Sequence, residues 1–205
     1  MLLRKNYASS FTFILILLLS FPAGAAQVDL LRATSYTLNV IDGRLECQSY
    51  NLSIRGEILP GDELKFDVLA KELAILRFGK DACPGSILSL SSLGGNVAAA
   101  IKIAFAVREL KVTTSVDAYE LCYSACFYIW AASVSRTVDI SSRLGVHQSS
   151  IGGISTPEGT IAGAKLLRRW NINVDVTDAM LATPPNQLYT LTREDMGKVA
   201  SWLFR

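Results

Sequence analysis

The sequence predicts an α/β domain built around a largely parallel sheet, and three observations carry that expectation. From residue 86 onward, short strand patterns alternate with helical ones, the signature of β-then-α units. The strands read as near-continuous apolar runs, such as Ser86-Ile87-Leu88-Ser89-Leu90, as strands covered on both faces do. No repeat, linker or low-complexity tract interrupts the chain. Residues 26–205 therefore read as one domain, and about 180 residues suffice for a single well-buried core.

In chain order, Tyr36, Leu38 and Val40 alternate with polar neighbours, Asp42-Gly43 is a hairpin signal, and 44–53 resumes a strand. Asn51-Leu52-Ser53 fits a glycosylation sequon but falls within that strand and is read as chance. Pro60-Gly61-Asp62 leads into a helix with Phe66, Leu69, Leu73 and Leu76 on one face. The strand at 86–90 ends in Ser91-Ser92-Leu93-Gly94-Gly95-Asn96 and opens a long Ala/Ile/Val helix at 97–110. A strand at 112–116, a very apolar helix at 122–132 and strand-like stretches at 136–140 and 144–147 follow. A Gly/Ser-rich loop at 149–156 precedes a helix at 157–170. The chain closes with a Pro184-Pro185 turn and a short helix whose Thr192-Arg193-Glu194-Asp195 opening is an N-cap pattern.

Residues 1–25 read as a cleavable signal peptide. Arg4 and Lys5 stand without an acid, an apolar run at 11–21 is broken only by Thr12 and Ser20, and Pro22 precedes the A-x-A-like Ala23-Gly24-Ala25. That run is shorter than the about 20 residues a membrane span needs. The expected location is periplasmic or secreted, with the cut near Ala25. The leader holds two of the 20 basic residues and none of the 18 acidic ones, which leaves the remainder near neutral with Arg168-Arg169 as its longest cationic run. A nucleic-acid or anionic-lipid partner thereby loses its electrostatic basis.

Cys47, Cys83, Cys122 and Cys126 would enter an oxidising compartment. Four cysteines allow three pairings, and sequence alone does not choose among them. Cys122 and Cys126 lack zinc-ligand spacing and His147, the only histidine, is distant, so no metal is expected. The pairing expected here is Cys122–Cys126, which would fix the turn between them, with Cys47–Cys83 stapling the early strands.

Two strand-to-helix turns can carry chemistry. Gly94-Gly95 lets the backbone turn sharply and present bare amides at a helix N-terminus, a cradle for an oxyanion. Cys122-Tyr123-Ser124-Ala125-Cys126 puts a serine at the head of a helix, either as a plain N-cap or as a nucleophile with the Ala125 amide beside it. A serine needs a base at neutral pH, and His147 is the sole histidine.

The order of these pieces is itself informative. Ile54-Arg55-Gly56-Glu57-Ile58, the stretch 88–96, Ser124-Ala125, and Leu144-Gly145-Val146-His147-Gln148 together resemble the ClpP protease family of the crotonase-like superfamily, in particular an exported, uncharacterised branch. The resemblance covers roughly 52–148 and implies a single-domain spiral of ββα units. It implies Ser124 as nucleophile, His147 as base, and Gly94 or Gly95 with Ala125 as oxyanion donors. Leu93 stands where the family has proline. The acid that orients the histidine is missing from its place before Tyr189, where Asn186 stands instead, with Asp175 and Asp178 as alternatives on the preceding segment. The expected function is a serine hydrolase, a peptidase acting on peptides or unfolded protein, without cofactor and without an ATPase partner; a homo-oligomer is compatible with it. The alternative is a catalytically inactive binding or scaffold protein of the same fold. An acyl-CoA enzyme fits poorly, since acyl-CoA is cytoplasmic and that chemistry does not call for a Ser–His pair.

Overall fold

The parallel β core is organised by a row of paired residues: Leu52 opposite Leu88, Leu88 opposite Thr114, and Thr114 opposite Arg136. The computed structural model describes residues 25–39, 43–77 and 85–203, with backbone alone for 30–39, 43–49, 202 and 203. The expected leader therefore lies outside the described residues save Ala25, which bridges to Glu57. Cys83 and the side chain of Cys47 lie outside them as well.

Strands β1 (Gln27–Asn39) and β2 (Gly43–Arg55) form a long antiparallel hairpin. Only the last residues of β2 pair with β3 (Ile87–Ser91), so the six-stranded sheet runs β1-β2-β3-β4-β6-β11, parallel from β2 onward. In it, β4 is Thr113–Val116, β6 is Arg136–Asp139 and β11 is Ser201–Leu203. A smaller sheet sets β7 (Arg143–Val146) between β5 (Leu121–Tyr123) and β10 (Tyr189–Thr190).

Helix α1 (Asp62–Leu76) buries Phe66, Ala70 and Leu73. Helix α2 (Val97–Leu110) starts where the Asn96 side chain accepts from the Ala99 N–H at 2.8 Å, an N-cap worth about 1 kcal/mol. Helix α3 (Ala125–Ala132) has every residue buried, as a helix apolar on all sides must be. It is the centre of the core, packed against α2, β4, β5 and α4 (Pro157–Arg169). The Thr114 hydroxyl, fully buried, donates to Trp130 O at 2.8 Å, tying β4 to the last turn of α3.

The structure departs from the sequence reading in four places. Cys122 belongs to strand β5, and the helix begins only at Ala125, because the turn at Ser124 breaks the apolar run. The 149–156 segment is a hairpin of β8 (Ser150–Ile151) and β9 (Ile154–Ser155), with Gly152 and Gly153 both at positive φ, as a two-residue hairpin turn requires. Helix α5 (Val174–Ala182) goes unread in the sequence; its Asn173 cap bonds the Asp175 N–H at 2.7 Å. The three-residue strand β11, too short to show a period, follows the expected helix α6 (Arg193–Val199) and its Thr192–Asp195 capping box.

Candidate active site

Strand β5 delivers the chain to Ser124 and helix α3 carries it away. The Tyr123 N–H donates to Ser92 O at 3.0 Å and the Ser124 N–H to Gly145 O at 2.9 Å. Ser124 itself sits at φ 54°, ψ −121°, the mirror image of the first central position of a type II turn, which suits glycine. Holding a serine there costs about 1–3 kcal/mol and needs surroundings that over-determine it. A capping serine has extended backbone and bonds an amide of the first turn; Ser124 does neither, and its hydroxyl makes no capping bond. Half-buried, it lines a small cavity of about 50 Å³ together with Gly95, Phe127, Tyr128, His147 and Met180.

The glycine turn presses against this elbow. A Cβ on Gly94 would stand 2.7 Å from Ser124 Cβ, and one on Gly95 2.2 Å from Ile58 O. Ile58 clamps the loop on both sides: its N–H donates to Gly94 O at 2.8 Å, and its carbonyl accepts from Asn96 N–H at 2.7 Å. The two glycines differ in what their amides do. The Gly94 N–H donates to the buried Ser92 hydroxyl at 3.0 Å. The Gly95 N–H has no partner among the described residues. Neither has the Ala125 N–H, because the first helical amides lack an intrahelical acceptor. Gly95 and Ala125 thus hold free donors next to Ser124, and Gly94 does not.

His147 follows β7 and is half-buried. Its Nδ1 lies 2.8 Å from the Gln148 carbonyl oxygen. A carbonyl only accepts, so Nδ1 carries a proton, and in the neutral ring the lone pair then lies on Nε2. No hydrogen bond joins the Ser124 hydroxyl to His147 among the described residues; the two line the same cavity. Asn186 is exposed in the turn before β10 and makes no hydrogen bond to His147. Asp175 accepts from Lys198 at 3.3 Å and Asp178 from Arg168 at 2.5 Å, so neither carboxylate is turned to the imidazole.

Cys122 and Cys126 are joined by a disulfide with Cα atoms 5.2 Å apart, inside the reach of such a bond. Burial pushes the Tyr128 hydroxyl up to about 12, against a hydrogen bond with Ser149 that lowers it; it stands in the cavity wall as a neutral phenol. Beyond the glycine turn, Gly56, Glu57, Ser91, Leu93 and Leu121 line a second groove of about 410 Å³ that also reaches Gly95. At its rim Glu120 accepts from the Ser91 hydroxyl and from Arg55 Nη1. These two partners, Ser91 foremost, hold its carboxyl below the usual glutamate range.

Four contributors escape sequence reading. Ser92 and Gly145 act through main-chain and hydroxyl acceptors, and Tyr128 is hidden in an apolar helix. Gln148 acts through its own carbonyl, which its side chain keeps still by donating to Leu181 O at 2.6 Å and accepting from Ser155 at 2.7 Å. The His-Gln pair was the one visible signal for it.

No protein-family model and no curated protein matches the chain. Among solved structures it is similar to a mutant of the 1510-N membrane-bound stomatin-specific protease in complex with a substrate peptide, with TM-score 0.58, 17% identity, and 72% of this chain and 70% of that one covered. The 1510-N membrane protease specific for a stomatin homolog from Pyrococcus horikoshii aligns with TM-score 0.52 at 17% identity, covering 73% of this chain and 70% of that one. ClpP1 from Listeria monocytogenes aligns with TM-score 0.55 at 18% identity, covering 73% of this chain and 86% of that one. The fold is ClpP-like. Within this ClpP-like fold, the Gly94-Gly95 turn and the Ser124 elbow lie side by side because β3 and β5 are bridged at Ser92 and Cys122.

Proposed function

We propose that the protein is an exported serine hydrolase that cleaves peptide bonds, with Ser124 as nucleophile and His147 as general base. The observation that carries this reading is the Ser124 backbone: a non-glycine residue in a glycine conformation, with two free amides beside it. Strain of this kind at a strand-to-helix turn exposes a serine hydroxyl rather than capping a helix.

The chemistry follows from the donors. A substrate carbonyl enters the cavity with its oxygen toward the Gly95 and Ala125 amides. Ser124 Oγ attacks the carbonyl carbon while His147 Nε2 takes the hydroxyl proton. The negative charge gathers on the oxygen, where two main-chain donors stabilise it, an effect worth about 3–4 kcal/mol per donor in related sites. The tetrahedral intermediate collapses as His147 returns the proton to the leaving amine; water then repeats the cycle on the acyl-serine. The hydrogen bond from Ser124 to His147 forms on substrate binding, as catalytic hydrogen bonds often tighten only with substrate in place. Substrates are peptides or already unfolded segments, reached without an ATP-driven partner.

Labelling with a fluorophosphonate tests this reading, since only an activated serine reacts. Wild-type protein is expected to be labelled, and Ser124→Ala and His147→Ala to lose the label while keeping their circular dichroism. One observation favours a second reading: no carboxylate contacts His147 among the described residues. A folded wild-type protein that resists labelling would make it a peptide-binding protein of the same fold. Export rests on the leader pattern, and N-terminal sequencing of secreted protein is expected to start near Ala26.

A further inference from the structure

The Ser124 conformation has to be held by something, and what holds it is unevenly distributed. The Ser124 N–H and the Tyr123 N–H are tied to Gly145 and Ser92, which fixes the strand side. On the helix side, the Phe127 N–H to Ser124 O bond at 3.0 Å is an ordinary first-turn contact that a helix makes with any backbone at its cap. The Ala125 amide itself has no partner among the described residues. One covalent link joins the two sides: the disulfide from Cys122 on β5 to Cys126 on α3.

Its placement is informative. Cys122 is paired in the sheet opposite Leu144 and bridged to Ser92, while Cys126 is the second residue of the buried helix. Four residues of extended chain would span about 13 Å, yet the Cα atoms are 5.2 Å apart. The chain reverses between them, and Ser124 is the residue at the reversal. In the chain-entropy account a disulfide stabilises a fold in proportion to the logarithm of the loop it closes. A ring this short is the poorest choice for global stability, and the best one for fixing a single turn. Both cysteines are fully buried.

We propose that the Cys122–Cys126 disulfide is a positioning device that holds Ser124 in its strained conformation, and with it the free Ala125 amide that follows. This rests on the hydrolase reading for its catalytic consequence, but its structural claim stands apart from it. Forming the bridge joins two thiols in a two-electron oxidation: a small-molecule disulfide accepts the electrons and both protons and leaves as two thiols. The elbow is then complete only in protein folded in an oxidising compartment, and a reduced chain carries every site residue without the geometry.

The test is the Cys122→Ala/Cys126→Ala variant, with Cys47 and Cys83 left intact. Its fold is checked by circular dichroism, its activity by fluorophosphonate labelling and peptide hydrolysis, and its Ser124 backbone by a crystal structure. The expected result is a folded protein with turnover and labelling rate at least tenfold lower, KM within about twofold, and Ser124 relaxed to negative φ. Unchanged turnover in the folded variant would overturn the proposal, since a stabilising staple alone shifts melting and not kcat. Should the variant not fold, a Cys47→Ala/Cys83→Ala protein is reduced under native conditions and reoxidised with glutathione disulfide. Activity that falls and returns with the two remaining thiols supports the proposal, and activity indifferent to them ends it. If even wild-type protein resists the probe, the hydrolase reading fails, and the Ser124 φ of the unbridged protein still decides: positive without the bridge refutes the positioning role, and relaxed supports it.

Discussion

The main-chain carbonyl of Gln148 lies 2.8 Å from Nδ1 of His147, in the place where a serine hydrolase keeps a carboxylate. A carbonyl fixes the tautomer as an acid would, but it carries no full charge to stabilise an imidazolium. The Gln148 side chain holds that carbonyl through Leu181 and Ser155. Gln148→Ala is expected to lower kcat by about tenfold with KM little changed, because the imidazole loses its fixed orientation. Asn186→Ala, Asp175→Ala and Asp178→Ala are expected to stay within about twofold of wild type, since none of these side chains meets His147. Steady-state peptide hydrolysis by the four variants measures this, and a large loss in Asn186→Ala would restore it to the site.

Gly95 cannot be replaced. Its φ of 133° and the 2.2 Å from an added Cβ to Ile58 O are independent obstacles, and main chain rather than a flexible side chain stands in the way. Gly95→Ala is expected to destabilise by roughly 2–4 kcal/mol, the range of strained or overpacked sites, and to abolish labelling because the free amide moves. Ser92→Ala releases only Gly94, whose N–H and carbonyl the hydroxyl meets, so it is expected to cost roughly 1 kcal/mol and retain labelling. Urea unfolding alongside probe labelling separates the two.

Much of this was legible beforehand, for physical reasons that differ from residue to residue. The Val97–Leu110 helix and the capping box at Thr192 announce themselves because periodicity and cap chemistry are local. Ser124 and His147 could be named because both end strand patterns, and the strands β5 and β7 are indeed neighbours. What sequence could not weigh was occupancy: which glycine has a free amide depends on the Ser92 rotamer, and which atom faces His147 depends on where Asn186 and Gln148 fall in space. Short elements such as β11 and α5 hold their shape through tertiary pairing rather than propensity, and so left no period to read.

Ala26 offers a further check. Its N–H donates to Asp62 Oδ2 at 3.2 Å, and Asp62 is almost fully buried, with Leu59 N–H and Lys65 as its other partners. A chain cut after Ala25 ends there in an ammonium, which makes the bond charge-assisted and stronger than a neutral one. Protein beginning at Ala26 is therefore expected to melt a few degrees above the same protein with an extra N-terminal methionine and glycine. In Asp62→Asn that difference should vanish, as differential scanning calorimetry of the four proteins would reveal.

Glu120 sets an acid limb. Its carboxyl titrates below the ordinary glutamate range because the Ser91 hydroxyl and the Arg55 guanidinium both favour the charged form. A lowered folded-state value means that the stabilisation is present above the unfolded value, and is lost as pH falls through the folded one. Glu120→Gln is expected to flatten the pH dependence of stability below about pH 4.3, the unperturbed glutamate value, and to lose the same small contribution at neutral pH, small because the pair is partly exposed. Urea midpoints between pH 3 and 7 measure it; a parallel acid limb in wild type and variant would assign that limb elsewhere.

On the hydrolase reading, the floor of the Ser124 cavity is expected to limit the side chain that a substrate presents beside the scissile bond. Tyr128 lies one helical turn beyond Ser124, and its hydroxyl nearly fills the space over Gly163 on α4, where an added Cβ would approach it to 2.0 Å. Gly163 is thus the residue that lets the phenol reach so far, and the phenol closes the cavity from below. The remaining volume of about 50 Å³ holds roughly three to five water-sized groups, taking about 10–15 Å³ of such volume for each. An alanine or valine side chain fits; phenylalanine does not. The walls offer Phe127, Met180 and a Tyr128 hydroxyl held neutral, with no charge to pair a lysine or an aspartate. Peptide substrates varied at that one residue are expected to rank alanine and valine at least tenfold above phenylalanine and lysine in kcat/KM. Tyr128→Ala removes the floor and is expected to narrow or invert the gap for phenylalanine while leaving lysine poor. The same ranking in Tyr128→Ala as in wild type would move the specificity pocket to the larger groove beside Leu93.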